Sequence, residues 1–273
     1  MTSSTSITRV TRVLHKAATA GVAAQAKPLP LFMRASELLT REIAAGHWQK
    51  GERLPPETEL ATLLGMAVGT VRKALAELAA RGLLERRQGS GTYVRGAGRQ
   101  RSIYEFFRLE LKQGGGLPTA RLLEFQRVSH PAGLPVFGPG NGPTNGPAIA
   151  SAFGPVPAGH CYRVRRLRLL GGLPVALEEI WFDARHRQGL KAADLSEALY
   201  LFYKESLGFW ISRVEDHVGV GKVPHWAPAE FHCAATQVCG LIERRAWSGA
   251  NKLEEFSRTW FDPERARYTA RWQ

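Results

Sequence analysis

The sequence predicts an α+β chain in two parts. A small helical N-terminal unit closed by a basic hairpin precedes a larger C-terminal unit built on a mainly antiparallel sheet. Three observations carry this prediction. Residues 51–94 hold two short helical patterns separated by a tight turn and followed at once by two short strands. From Ala120 onward, strand-like segments recur, two of them joined by Gly171-Gly172. The length, 273 residues, suits about two domains.

Residues 1–27 are rich in Ser, Thr, Ala and basic residues, with no acidic residue before Glu37. They read as a disordered basic arm, although a transit peptide has a similar composition. Pro30 opens the first helix, where proline is tolerated. Leu31, Ala35, Leu38, Leu39 and Ile43 form its apolar stripe, and Gly46 ends it. Trp48 is expected to be a lid on the core. The next helix runs from Glu57 to Leu64, with Leu60, Leu63 and Leu64 on one face. A further helix runs from Val68 to Ala80, with Val71, Leu75 and Leu78 at i, i+4 and i+7. Gly65 and Met66 leave only a tight turn between them, which suits a helix-turn-helix. Leu83–Arg87, Gln88–Gly91 and Thr92–Val94 then read as strand, Gly-rich turn and strand. A helix-turn-helix followed by a basic hairpin is a winged helix. Its second helix presents Thr70, Arg72 and Lys73 away from the core, a surface that fits the major groove, and the basic wing suits phosphates or the minor groove.

The stretch GERLPPETELATLLGMAVGTVRKALAELAARGLLERRQGSGTYV resembles the DNA-binding domain of the GntR family of bacterial transcription regulators. Gly51-Glu52-Arg53-Leu54-Pro55, Glu59-Leu60-Ala61, Thr70-Val71-Arg72, Gly82-Leu83-Leu84 and Gly89-x-Gly91-Thr92 carry the resemblance. It implies DNA-binding roles for Arg53, Thr70, Arg72 and the wing glycines Gly89 and Gly91, and with Gly69, Lys73, Arg87 and Ser90 these make up the expected DNA-binding set. Two positions depart from the family pattern. Pro56 stands where a Ser usually caps the helix and pairs with Glu59. Ala67-Val68 stands where Ser-Arg or Thr-Arg usually opens the recognition helix, so one capping contact, worth about 1 kcal/mol, is absent.

Residues 96–102 read as a linker, with Gly96 and Gly98 as its hinge. Ile103–Leu111 is amphipathic and expected to be helical. Ala120–Ser129 reads as a strand, Pro131–Pro147 as a mobile Gly/Pro/Asn loop, and Ala148–Phe153 as a short helix. Cys161–Leu170 and Pro174–Phe182 form a hairpin. Ser196–Leu207 is expected to be helical, Trp210–Val220 a strand and Pro228–Ala235 a short helix. Val238–Ser248 and Lys252–Phe261 form a second hairpin, and Arg265–Trp272 closes the chain as a strand. Mostly antiparallel strands with interspersed helices define the α+β unit over residues 103–273, beside a winged unit over 28–95.

RRLRLLGGLPVALEEIWF, SEALYLFYKESLGFWISRVED and LIERRAWSGANKLEEFSRTWF resemble the UTRA effector domain of HutC/FarR-type GntR regulators, a fold similar to chorismate lyase. The resemblance implies a small effector, often anionic, held by Arg166, Arg168, Glu178, Tyr200 and Glu255. Ala198 and Phe261 stand where the family often has Ser and Tyr. The residues themselves support a site. Arg166 and Arg168 share one strand face at period two, and paired guanidinium forks suit a carboxylate or phosphate. Glu178 and Glu255 could take an amine or hydroxyls, or all four could form internal ion pairs.

The net charge is +13. Residues 1–98 carry 14 basic and 7 acidic residues, a denser excess than in the remainder, as a polyanion binder requires. Cys161, Cys233 and Cys239 lack C-x-x-C spacing, and His160-Cys161 and His232-Cys233 complete no tetrahedral site. No metal and no cofactor are expected. An odd cysteine count without a signal peptide fits a reducing cytoplasm, and no apolar run reaches membrane-spanning length. The reading is a ligand-responsive, cytoplasmic transcription regulator and not an enzyme. It is a repressor released from a palindromic operator by a small anionic effector, and it binds DNA as a homodimer. The alternatives are an activator of the same family or a chorismate-lyase-like enzyme fused to a DNA-binding domain. No nucleophile–base pair supports the latter.

Overall fold

The computed structural model describes residues 27–95, 103–139 and 159–271. The N-terminal unit holds α1 (Leu31–Ala44), α2 (Glu57–Leu64) and α3 (Val68–Ala80), then the wing strands β1 (Leu84–Arg87) and β2 (Gly91–Val94). Leu39, Leu60, Val71, Leu75, Leu78, Leu84 and Val94 form its core, with Trp48 as a lid. Neither Pro56 before α2 nor Ala67 before α3 makes a side-chain cap. Glu57 and Glu59 in the first turn of α2 favour its positive end instead. The stripe read for α1 is only part of its buried surface. Leu31 is exposed, while Ser36, Glu37, Arg41 and Glu42 are buried, because a second face of α1 lies against the C-terminal unit.

That unit holds β3 (Leu109–Leu111), β4 (Pro118–Ser129), β5 (Gly138–Pro139), β6 (His160–Leu170), β7 (Leu173–Asp183), α4 (Leu199–Phe202), β8 (Ile211–Lys222), β9 (Val238–Ser248), β10 (Lys252–Phe261) and β11 (Ala266–Tyr268). The main sheet is antiparallel with order β4-β6-β7-β10-β9-β8, and β5 adds to the end of β10. α4 continues into a wider π turn over Tyr203–Leu207 and packs Leu199, Phe202 and Tyr203 on one sheet face, against Tyr162, Ile180 and Phe182. β11 and β3 form a separate two-stranded ribbon.

Four expectations are corrected. Ile103–Leu111 is a turn followed by β3 rather than a helix, because β11 recruits Leu109–Leu111 across more than 150 residues. The helix expected from Ser196 begins at Leu199. Backbone groups of Leu195 and Glu197 are already bonded to Lys27. Pro228–Ala235 forms successive turns closed by Phe231 N–H to Pro228 C=O and Thr236 N–H to Val223 C=O, with no helix. The last strand is only Ala266–Tyr268. Of the loop read over 131–147, Leu134 and Phe137 pack on Trp181 and Phe256. Gly138–Pro139 of that loop is β5, and residues 140–147, the helix read at 148–153, the linker at 96–102 and the arm up to residue 26 lie outside the described residues. Among the described residues, no helix is long and apolar enough to cross a membrane.

Candidate DNA-reading face and effector cavity

The candidate DNA-reading face is built on α3 and the wing. Gly69, Arg72 and Lys73 are exposed on α3, with Thr70 half-buried. Arg72 Nε donates to Glu57 Oε2 at 2.7 Å, and Arg86 Nη2 donates to the other oxygen of the same carboxylate at 3.2 Å. Glu57 thus aligns one guanidinium from α3 with one from β1. Lys73 is turned differently, its ammonium 3.8 Å from the centre of the Phe32 ring on α1. In the wing, Arg87 lies over Tyr93 and pairs with Glu85. Ser90 Oγ meets the Tyr93 hydroxyl at 2.7 Å. Arg53 lies against the wing at Gly91, beside its turn. A Cβ there would come within 2.7 Å of Arg53 Nε, and φ is +121°, so only glycine fits.

The second site is a cavity, partly open to solvent, on the sheet face that α4 covers. Arg166 and Arg168 enter it from β6, Glu178 from β7, Arg244 from β9, and Glu255, Ser257 and Thr259 from β10. Tyr104, Phe106 and Phe107 close one side and Tyr200 another. The register explains this gathering: Arg166, Glu178 and Thr259 are direct cross-strand neighbours.

Glu178 Oε2 accepts from Arg166 Nε at 3.0 Å and Nη2 at 2.6 Å. Arg168 Nε approaches that same oxygen to 2.9 Å. Burial would raise the Glu178 carboxyl, but the two guanidinium charges outweigh it and hold the group at about 2. Arg166 Nη1 donates to the Glu197 carbonyl at 3.1 Å. Arg168 is only 5% exposed, yet its Nη1 has no hydrogen-bond partner among the described residues, and its guanidinium lies over the rings of Phe107 and Tyr104.

At the other end, Glu255 accepts from the hydroxyls of Tyr203 at 2.7 Å and Tyr200 at 3.2 Å. Burial pushes the Glu255 carboxyl upward. Arg244 donates through two nitrogens to Asp216 at 2.6 and 2.7 Å, and the Tyr268 hydroxyl donates to Asp216 at 2.8 Å. All five residues named from sequence for the effector therefore line or contact one site. Sequence reasoning missed Arg244 and Tyr203. Alternation along β9 could have flagged the first, and spacing of three from Tyr200 on a helix the second.

Glu197 and Arg41 were also missed. Glu197 accepts from Leu29 N–H at 2.9 Å and pairs with Arg34 of α1 at 3.0 Å. Arg41 donates to the carbonyls of Leu109 and Gly116 at 2.6 and 3.0 Å. Beside it, Glu42 accepts from Gly116 N–H and from His47. Gly115, at φ +65°, lies directly against that carboxylate, where an added Cβ would crowd it.

Residues 33–94 match the model of bacterial regulatory proteins of the gntR family, and residues 144–267 match the UTRA domain. The HTH-type transcriptional regulator SmoD of Agrobacterium fabrum is 45% identical over 243 residues, 89% of this chain and 96% of its own length. The mannosyl-D-glycerate transport/metabolism system repressor MngR of Escherichia coli is 26% identical over 247 residues, 88% of this chain and 95% of its own. A histidine utilization repressor of Pseudomonas aeruginosa is 38% identical over 78 residues, 29% of this chain and 31% of its own. With a winged helix-turn-helix ahead of an antiparallel α+β domain, and with these matches along its length, the chain belongs to the gntR family of bacterial transcription regulators, in the branch that carries a UTRA domain.

Proposed function

We propose that the chain is a repressor that leaves its operator when a small oxyanion enters the UTRA cavity. The carrying observation is Arg168, buried beside Arg166, with a guanidinium nitrogen that has no hydrogen-bond partner among the described residues. A buried polar group in this condition is costly, and an incoming acceptor relieves it. Arg166, Arg168, Glu178, Tyr200 and Glu255 form the effector set. Hydroxyls of Ser257, Thr259 and Tyr200 around them suit a ligand that carries hydroxyls beside its anionic group. That agrees with the repressor relative whose name includes mannosyl-D-glycerate.

Arg53, Gly69, Thr70, Arg72, Lys73, Arg87, Gly89, Ser90 and Gly91 form the DNA set, within a winged unit taken as residues 28–95. The effector unit is taken as residues 103–273. One winged helix reads a short half-site, so a homodimer on a palindromic operator is the working assembly, in the cytoplasm. This reading assigns the cavity no catalysis.

The test is operator binding by mobility shift, with hydroxylated carboxylates and phosphate esters added in turn at constant ionic strength. The expected result is release by one chemical class, with a matching rise in melting temperature of the free protein. Release by none of them, or a monomer in light scattering at micromolar concentration, overturns the reading.

A further inference from the structure

We propose that Glu178 is a built-in occupant of the anion site: its carboxylate sits between Arg166 and Arg168 where the effector's oxyanion must sit, and competition with it sets effector affinity and selectivity. This rests on the reading of the cavity as the effector site.

The geometry is that of a ligand mimic. One oxygen, Glu178 Oε2, lies 2.6 Å from Arg166 Nη2, 3.0 Å from Arg166 Nε and 2.9 Å from Arg168 Nε. A single acceptor atom serves two forks: it engages Arg166 through two nitrogens, but the Nε of Arg168 is out of line for a hydrogen bond and its Nη1 has no partner among the described residues. A carboxylate, phosphate or sulfonate that offers two or more oxygens can meet both forks at once, which one oxygen cannot.

The cavity lining carries Arg108, Arg166, Arg168 and Arg244 against Glu178 and Glu255, with Asp216 paired to Arg244 beside it. This positive lining accepts an anion, but the forks of Arg166 and Arg168 are reached by one that takes the place of Glu178 Oε2. Asp216 is fixed by two bonds from Arg244 and one from Tyr268, and Glu255 by two tyrosine hydroxyls. Glu178 is held through one oxygen, by the two guanidiniums that an incoming oxyanion would take over, so it is the carboxylate that such an anion displaces. Thr259, its direct neighbour on β10, lines the same cavity and offers a hydroxyl donor for the turned carboxylate.

Selectivity follows. A monodentate acceptor gains no more from the arginines than Glu178 already supplies, so it is rejected. An oxyanion with several oxygens gains both forks and wins.

The test is calorimetric titration of the full chain with inorganic phosphate, at ionic strength balanced by chloride. Glu178→Gln keeps the shape and removes the competing charge, so phosphate should bind roughly tenfold or more tightly than to the natural chain. Glu178→Asp draws the carboxylate back by one methylene and should fall between the two. Phosphate bound equally or more weakly by both variants overturns the proposal while leaving the effector site standing. No phosphate binding by any form overturns both. Should Glu178→Gln fail to fold, a crystal structure of the natural chain with phosphate decides. Glu178 turned away from both arginines supports the proposal, and Glu178 still within hydrogen-bond reach of both refutes it.

Discussion

Arg41 of the DNA-binding unit donates a 2.6 Å hydrogen bond to the backbone carbonyl of Leu109 in the effector unit. The same guanidinium reaches Gly116 and lies over Phe107, whose ring also lies under Arg168 in the cavity. One aromatic ring thus touches an arginine of each unit. Effector occupancy can alter the seat of α1 through this contact, provided the effector binds the two arrangements unequally.

Arg41→Met should therefore uncouple the units. Each lost charged hydrogen bond is worth about 1.5–3 kcal/mol, enough to split one urea-unfolding transition into two. Operator release by effector should weaken in parallel. A single, unshifted transition with full release would show that Arg41 carries no coupling.

Arg72→Ala should cost about 1–3 kcal/mol on operator DNA and little on random DNA, if Arg72 reads a base edge. Arg87→Ala should weaken both alike and reduce the salt dependence. Glu57 orients Arg72, so Glu57→Gln should erode discrimination more than total affinity. Anisotropy titrations against both DNAs at several salt concentrations separate these outcomes.

Arg168→Ala should abolish the effector response, so that operator affinities with and without effector become equal. By linkage, effector affinity should also become independent of operator. Paired titrations measure both sides of this cycle. A persistent response of natural size would place the effector elsewhere.

Glu178 is held at about 2, against an ordinary value of 4.5, by Arg166 and Arg168 acting against its burial. A carboxyl depressed on folding contributes stability that is fully present above its unfolded value and lost as pH falls toward its folded one. Stability of the effector unit should therefore drop between about pH 4.5 and 2, and Glu178→Gln should flatten that limb. Glu255, raised by burial, works in the opposite sense: protonation on acidification relieves its cost and partly offsets the drop. Denaturant melts at successive pH values measure the slope. An equal slope in Glu178→Gln would assign it to other carboxyls.

The winged unit was legible because its signals are local. Apolar spacing of three and four placed α2 and α3 within a residue, and the glycines at 89 and 91 placed the wing. Arg166 and Arg168 were legible as a pair because alternation on a strand fixes a shared face. Their partnership with Glu178 depends on hairpin register, which Gly171-Gly172 sets nearby. What remained hidden joins distant parts of the chain. Arg41 bonds backbone more than 60 residues away, Tyr268 meets Asp216 across 52, and Glu197 meets Leu29 across 168. The apolar stripe of α1 gave no sign that its polar side was also buried, since Arg41 and Glu42 look solvent-facing until the second unit is in place. Ile103–Leu111 misled for a related reason: its amphipathic pattern suits a helix, but its carbonyls are taken by Arg41 and its edge by β11.

Lys27 N–H donates to Leu195 C=O at 2.6 Å, and Glu197 N–H returns a bond to Lys27 C=O at 3.2 Å. The winged unit is therefore anchored to the effector unit just before its first helix, besides being joined to it covalently after its second wing strand. A body attached at one point can tumble like a pendulum, whereas this unit is held at Lys27 and again along α1 by Arg34, Arg41 and Glu42. Its allowed movement shrinks from free rotation toward a narrow arc. In a dimer, two bodies so restrained would turn a small displacement at the cavity wall into a defined change in the distance between the two DNA-reading helices. Removing residues 1–29 would cut the attachment at Lys27 and leave Arg34, Arg41 and Glu42 to hold the unit, widening the arc through which it moves.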